Sequence, residues 1–275
     1  MILKRIRSIV IGVFVASLMV AVSILLNNTR DNGSVMKGRM GERRRSQEEE
    51  LDEAERISVR DGKMFEVLEQ LYHDKNHFTQ GLTYSNGVLY ESIGLYGRSE
   101  VCQLNPDTAK ARHCVSMEQK YFAEGMQVYK DGQEEEEKLI QLTWKSQVGF
   151  IRNVKTLDVI KEFKFTTTKN EGWGITYDAS QHEFIVSDGS PFLHFWDATT
   201  LKEKRKVKVT RQNGGKADDL NELEFVNGRV LANVWHQDVI LVIHPESGEC
   251  LKEYGTTTHY FYGSNVTYCI FYLIH

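Results

Sequence analysis

From about residue 64 onward the chain sets short apolar stretches between clusters of turn residues, and one phrase returns four times. Gly81-Leu82-Thr83-Tyr84, Gly125-Met126-Gln127-Val128, Gly174-Ile175-Thr176-Tyr177 and Glu222-Leu223-Glu224-Phe225 each open a strand, with starts 44, 49 and 48 residues apart. A turn and a second strand follow each one: Val88 to Glu91, Leu139 to Trp144, Glu183 to Ser187, and Val230 to Trp235. A third strand then leads into a turn at Asn105-Pro106-Asp107-Thr108, Asn153-Val154-Lys155-Thr156, Asp197-Ala198-Thr199-Thr200 or Pro245-Glu246-Ser247-Gly248. A period in the forties with several short strands per unit is the mark of propeller blades. No unit carries the 3.6-residue apolar spacing of a solenoid helix. Each blade buries its faces only against its neighbours, so the repeat calls for a closed ring. Met64 to Leu71 reads as an extra strand of the kind that completes a last blade and latches the ring. After Tyr254 the phrase stops, and residues 255–275, rich in Thr, Tyr, Phe and Ile, read as a divergent tail.

The N-terminus follows a different pattern. Ser8 to Leu26 is an uncharged, mostly apolar run of nineteen residues behind Lys4, Arg5 and Arg7. At about 1.5 Å per residue it spans most of a bilayer core, and it lacks the amphipathic spacing of a core helix. The early basic residues favour a cytoplasmic N-terminus, although Arg30, Lys37, Arg39 and Arg43 to Arg45 pull the other way. The expectation is one transmembrane helix within residues 1–30, a single-pass signal anchor, with the rest of the chain lumenal (ER or Golgi) or extracellular. Ala21-Val22-Ser23 leaves cleavage open. Residues 31–63 are polar, with Glu48, Glu49 and Glu50 clustered, and read as a disordered stalk; residues 64–254 are the propeller. Three glycosylation triplets, at Asn27, Asn32 and Asn265, fit the same location.

Composition narrows the function classes. A chain that is 41% hydrophobic and 11% aromatic supports a packed core, and a formal net charge of -4 argues against nucleic acid as a partner. Cys102, Cys114, Cys250 and Cys269 show no CxxC or Cys/His ligand spacing, so a structural zinc site is not indicated. Cys102 and Cys114 are placed for a disulfide between neighbouring strands in an oxidising compartment.

The candidates for chemistry stand where each unit begins its innermost strand, because in a propeller those starts converge on one mouth of the channel. They are Phe78-Thr79-Gln80-Gly81, Phe122-Ala123-Glu124-Gly125, Glu171-Gly172-Trp173-Gly174 and Asn221-Glu222-Leu223-Glu224, with Glu91, Trp144, Lys145 and Trp235 added from the second strands. Glu124 is the sharpest, since a carboxylate between Phe122 and Gly125 is costly to bury without a partner or a task. From periodicity alone it reads equally as functional or structural, and Trp144, Trp173 and Trp235 read first as packing between blades. His73 and His77 flank Asp74 with no third ligand phrase and read as polar loop residues. No Gly-x-Ser-x-Gly phrase or phosphate-cradling loop is present.

Taken together, the phrases resemble the plant-type glutaminyl-peptide cyclotransferases, the glutamine cyclotransferase family. The resemblance rests on His77-Phe78-Thr79-Gln80-Gly81-Leu82, Leu89-Tyr90-Glu91-Ser92-Ile93-Gly94-Leu95-Tyr96-Gly97 and Gln141-Leu142-Thr143-Trp144-Lys145 with Gly149-Phe150. It continues through Glu171-Gly172-Trp173-Gly174, Ser187-Asp188-Gly189-Ser190 and Asn221-Glu222-Leu223-Glu224 to Asn233-Val234-Trp235, over about residues 64 to 253. It implies an all-β, five-bladed β-propeller, its final blade atypical here. It also implies conversion of N-terminal glutamine of peptides or proteins to pyroglutamate with release of ammonia, without a catalytic metal or other cofactor. By resemblance Glu124 is the catalytic acid–base. Phe78, Phe122, Trp144, Trp173 and Trp235 are substrate-binding walls, and Gln80 and Asn221 bind the substrate amide.

The family's further blade phrase with Asn-Gly-Ile-Ala, and its Gly-Lys-x-Trp segment that supplies a lysine near the site, do not occur here. A propeller that only binds peptides or scaffolds a complex, without catalysis, is therefore the alternative. A lactonase-like propeller is a third reading; it needs a channel set of Glu, Asn and Asp around a metal, which the aromatic enrichment fits less well.

Overall fold

The computed structural model describes residues 19–23, 66–71, 73–132, 136–237 and 239–255; of 19–23 and 66–70 only the backbone is described. The described residues hold eighteen strands, and no helix occurs among them. Blade one is β3 (Thr79–Ser85), β4 (Val88–Ile93), β5 (Glu100–Leu104) and β6 (Ala111–Ser116). Blade two is β7 (Ala123–Lys130), β8 (Glu137–Thr143), β9 (Val148–Asn153) and β10 (Val159–Lys164). Blade three is β11 (Ile175–Asp178), β12 (Glu183–Val186), β13 (Phe192–Asp197) and β14 (Glu203–Lys208). Blade four is β15 (Leu220–Val226), β16 (Arg229–Val234), β17 (Val239–Ile243) and β18 (Cys250–Gly255). Each is a four-stranded antiparallel sheet in sequence order. The propeller reading therefore holds for four blades, and the fifth expected from the resemblance is not among the described residues.

The blades pack because each strand sends alternate side chains to opposite faces. In blade one, Leu89 and Cys102 go to one face, with Leu71 and Leu82. Tyr90 and Val101 go to the other, against Met126, Val128 and Leu139 of blade two. Phe163, Ile175, Phe184 and Trp196 fill the next gap, between blades two and three. Phe195, Leu223, Ala232 and Leu241 fill the one between blades three and four. The outermost strands, such as β10, are largely exposed, whereas β7 is buried along most of its length. The inner strands nearly touch. A Cβ on Gly125 would lie 2.4 Å from the Trp173 carbonyl oxygen, and one on Gly174 would lie 2.2 Å from that of Asn221. Glycine at these two positions lets the blades converge on the axis.

The repeated turn phrase has one job. Asn105 Oδ1 accepts the backbone N–H groups of Asp107 and Thr108, and Asn153 Oδ1 accepts those of Lys155 and Thr156. Asp197 Oδ1 accepts the N–H of Thr200, and in the last blade His244 Nδ1 takes the same place beneath Glu246 and Ser247. Such side chains replace a missing backbone partner at the turn between a third and a fourth strand. Cys102 and Cys114 face one another across β5 and β6 and are disulfide-bonded, as their spacing suggested.

Within the apolar N-terminal run the structure describes only β1 (Met19–Ser23), and this is a strand rather than helix. It pairs antiparallel with β2 (Glu66–Leu71). No described helix is long and apolar enough to cross a membrane. The remainder of the run, the whole stalk, the glycosylation triplets and residues 256–275 lie outside the described residues.

Candidate active site

Antiparallel pairing puts the start of each inner strand beside the end of the second strand. Thr79 pairs with Ile93, Ala123 with Thr143, Ile175 with Val186 and Leu220 with Val234. The backbone continues this pairing past the strand ends: Gly94 N–H donates to Phe78 O, Trp144 N–H to Phe122 O, and Trp235 N–H to Asp219 O. Residues far apart in sequence therefore share one end of the blades.

At that end the aromatic side chains form a connected wall. Phe78 meets Phe122 edge-on at 6.3 Å between ring centroids, and Phe122 meets Trp144 at 5.4 Å. Trp173 meets Trp235 at 5.6 Å. The two groups are joined by Glu171, whose Oε2 accepts the indole N–H of Trp144 at 2.7 Å and of Trp173 at 2.9 Å. Gly189 leaves room for Trp173: a Cβ there would lie 2.7 Å from the indole, and the backbone has the left-handed φ of 73° that glycine tolerates. The tryptophans that read first as blade packing thus stand at the mouth, and Trp235 is 41% exposed. Lys145 lies 3.9 Å from the Trp144 ring and 3.9 Å from Glu171 Oε1. Lys169 donates to Gly189 O at 2.6 Å, within 5.7 Å of the Trp173 ring.

Glu124 sits on β7, two residues after the wall residue Phe122, and is 6% exposed. No described residue donates a hydrogen bond to its carboxylate. Burial, and then the charge of Glu171, push its carboxyl well above the ordinary range. Glu222 is raised likewise by burial and by the charges of Glu224 and Glu124, and its Oε1 has no hydrogen-bond partner among the described residues. Glu224, two residues further along β15, is pushed up to about 8 by burial. Three carboxyls with weakened acidity thus stand on the inner strands of blades two and four, on either side of blade three. Gln80 is buried beside Phe122: a Cβ on Gly94 would meet Phe122 at 2.4 Å and Gln80 Cγ at 2.8 Å. Asn221 is buried on β15, its carbonyl accepting the Ser187 hydroxyl at 2.5 Å.

One sequence expectation is corrected by this geometry. Glu91 does not line the rim but is fully buried. Its Oε1 is 2.7 Å from His73 Nε2, its Oε2 is 2.9 Å from His77 Nδ1, and the Thr79 hydroxyl donates to Oε1. Burial alone would raise its carboxyl, but the imidazole hydrogen bonds outweigh this and hold it at about 2. His73 and His77, read as polar loop residues, are the partners of this one carboxylate.

Sequence reasoning missed Tyr96, which stands 5.4 Å from Phe122 and 6.5 Å from Trp144. It lies inside a motif phrase, yet nothing in its spacing separates it from a turn residue. The shared hydrogen-bond role of Glu171 was also missed, because it depends on two indoles meeting at one oxygen.

Four antiparallel blades whose inner strands converge, with an aromatic wall at one end and the buried, weakly acidic Glu124 carboxyl on an inner strand, define a β-propeller. A model of the glutamine cyclotransferase family matches residues 44–258, and the chain belongs to that family. It is similar to glutaminyl-peptide cyclotransferase of Arabidopsis thaliana, 37% identical over 187 residues that cover 68% of this chain. The chain spans 55% of the length of that curated relative. It is also similar to the crystal structure of Myxococcus xanthus glutaminyl cyclase, with a TM-score of 0.57 and 29% identity, covering 66% of this chain and 72% of that one.

Proposed function

We propose that this chain is a glutaminyl-peptide cyclotransferase that closes N-terminal glutamine of peptides or proteins to pyroglutamate and releases ammonia. The observation that carries the reading is the Glu124 carboxyl, buried behind Phe122 and held above the ordinary acidity range. In the reaction the neutral α-amine attacks its own side-chain amide carbon, so one C–N bond forms as the amide C–N bond breaks. The attacking nitrogen must lose a proton and the departing nitrogen must gain one. Glu124 takes the first and returns it to the second, leaving the enzyme unchanged. A carboxyl whose pKa is raised by burial suits both halves of that transfer.

Phe78, Phe122, Trp144, Trp173 and Trp235 hold the glutamine side chain and keep water off the acyl carbon. Gln80 and Asn221 orient the amide and stabilise the developing oxyanion. The test is ammonia release from a Gln-initiated peptide. Release from that peptide and not from its Asn-initiated counterpart, whose ring would be one carbon smaller, supports the reading; no release from either by folded protein overturns it.

The finer architecture is part of the same proposal. The five-bladed ring that the resemblance implies draws support from Leu71, buried against Leu82 and Leu89 on the face of blade one turned away from blade two. A lumenal or extracellular location with a membrane anchor draws support from the apolar run and from the Cys102–Cys114 disulfide. Met19–Ser23 cannot both pair with β2 and cross a bilayer, so anchoring requires β1 to leave its partner strand. Retention of full-length chain in membranes after carbonate washing supports the anchor; its recovery in the wash overturns it.

A further inference from the structure

Among the described residues, His73, His77 and Glu91 bring three metal-ligating side chains together away from the aromatic wall. Their ligand atoms all lie within 4.8 Å of one another. Glu91 and His73 are 0% and 1% exposed, so the carboxylate is shut away from water at the base of blade one. A charge buried in this way needs a cation beside it. Two imidazoles satisfy that need either by carrying a proton or by holding a metal ion with their lone pairs.

We infer that His73 Nε2, His77 Nδ1 and a Glu91 carboxylate oxygen form a binding site for zinc or a similar divalent transition metal. Two imidazoles and one carboxylate are an ordinary zinc donor set. Ligand atoms around tetrahedral zinc lie about 3.3 Å apart, given metal–ligand distances of about 2.0–2.1 Å. His73 Nε2 and His77 Nδ1 lie 2.7 and 2.9 Å from the Glu91 oxygens. Accommodating the ion therefore takes a spread of roughly half an ångström, within the reach of side-chain rotation. The Thr79 hydroxyl, already on Glu91 Oε1 and 3.2 Å from His73 Nε2, borders the same point. His77 is the partly exposed member, and entry is from its side.

The sulfurs of Cys102 and Cys114 are bonded to each other and do not compete. The site is separate from the proton path at Glu124. Its effect is positional: it ties the segment entering β3 to β4, and that segment carries Phe78 and Gln80 to the mouth.

The test is metal content of the full chain after equilibration with micromolar zinc chloride and removal of free ion by gel filtration. The parent and a His113→Ala control, which alters an exposed histidine elsewhere, should retain about one zinc per chain. His77→Ala should retain less than about a tenth of that. Zinc should also raise the melting temperature of the parent and leave that of His77→Ala unmoved. A parent that retains no zinc overturns the site, as does a His77→Ala chain that retains as much as the parent. Should His77→Ala misfold, cobalt binding to the parent decides. Intense tetrahedral visible bands without a thiolate charge-transfer band support the site. No such bands, or a thiolate band that assigns the ion to a cysteine, overturn it.

Discussion

The indole N–H of Trp144 lies 2.7 Å from Oε2 of Glu171, an oxygen that Trp173 also reaches at 2.9 Å. One carboxylate thus aligns walls from two blades and adds negative charge near Glu124. Structure and chemistry are coupled at this point, and the predictions start from it.

Glu171→Gln keeps an oxygen for the indoles but removes the charge. Burial is the larger cause of the raised Glu124 carboxyl, and the Glu171 charge is the second. Removing the charge should therefore lower the Glu124 pKa without restoring it fully. The acid limb of the pH profile of kcat/KM should move to lower pH. A limb that stays in place, or moves upward, contradicts the coupling.

Glu124→Gln keeps the shape and removes the base. General acid–base catalysis contributes on the order of 10²–10⁴-fold, so kcat for ammonia release should fall by about that factor while the urea midpoint hardly changes. Trp173→Phe serves as the contrast, raising KM more than it lowers kcat. Turnover by Glu124→Gln within a few-fold of the parent would remove Glu124 from the proton path.

The channel carboxyls predict how stability varies with pH. Glu224 is pushed up to about 8 in the folded chain by burial, against about 4.3 when unfolded. Between those values the folded state binds the extra proton, so stability falls as pH rises through them. Glu124 and Glu222 shift in the same direction. The urea midpoint of the parent should decline from pH 5 to pH 9, and Glu224→Gln, neutral throughout, should flatten part of that decline. Parallel pH curves for the two chains would show that Glu224 is ionised in both states.

Gly174→Ala tests the convergence of the inner strands. Its new methyl would lie 2.2 Å from the Asn221 carbonyl oxygen, backbone that cannot rotate away. Overpacking of this kind costs about 1–3 kcal/mol or more, and the shift would also disturb Asn221 and Glu222. Denaturant melts should show a loss of at least about 2 kcal/mol. An unchanged midpoint would mean that the blades can separate at the axis without cost.

Repetition made most of the fold legible. Four strand phrases with spacings in the forties require identical local units, and a unit that buries its faces only on its neighbours has to stack around an axis. The turn caps at Asn105, Asn153 and Asp197 are likewise local chemistry, visible as polar residues at fixed offsets. Glu124 and the aromatic wall were legible because inner-strand starts share one mouth in any propeller, whichever side chains they carry. What the residue string could not convey was which side chains meet across blades. Glu91 looked like a rim residue from its strand position, and only the folded chain shows it closed in by His73 and His77 of the preceding loop and by Thr79 at the start of β3. The bridge from Trp144 through Glu171 to Trp173, the place of Tyr96 in the wall and the action of the Glu124 and Glu224 charges on Glu222 have the same origin. Distances between side chains on separate blades, and the burial that shifts their protonation, arise from packing in three dimensions. Sequence spacing determines which face and end of a strand a residue occupies, whereas the partner it meets there is set by the neighbouring blade.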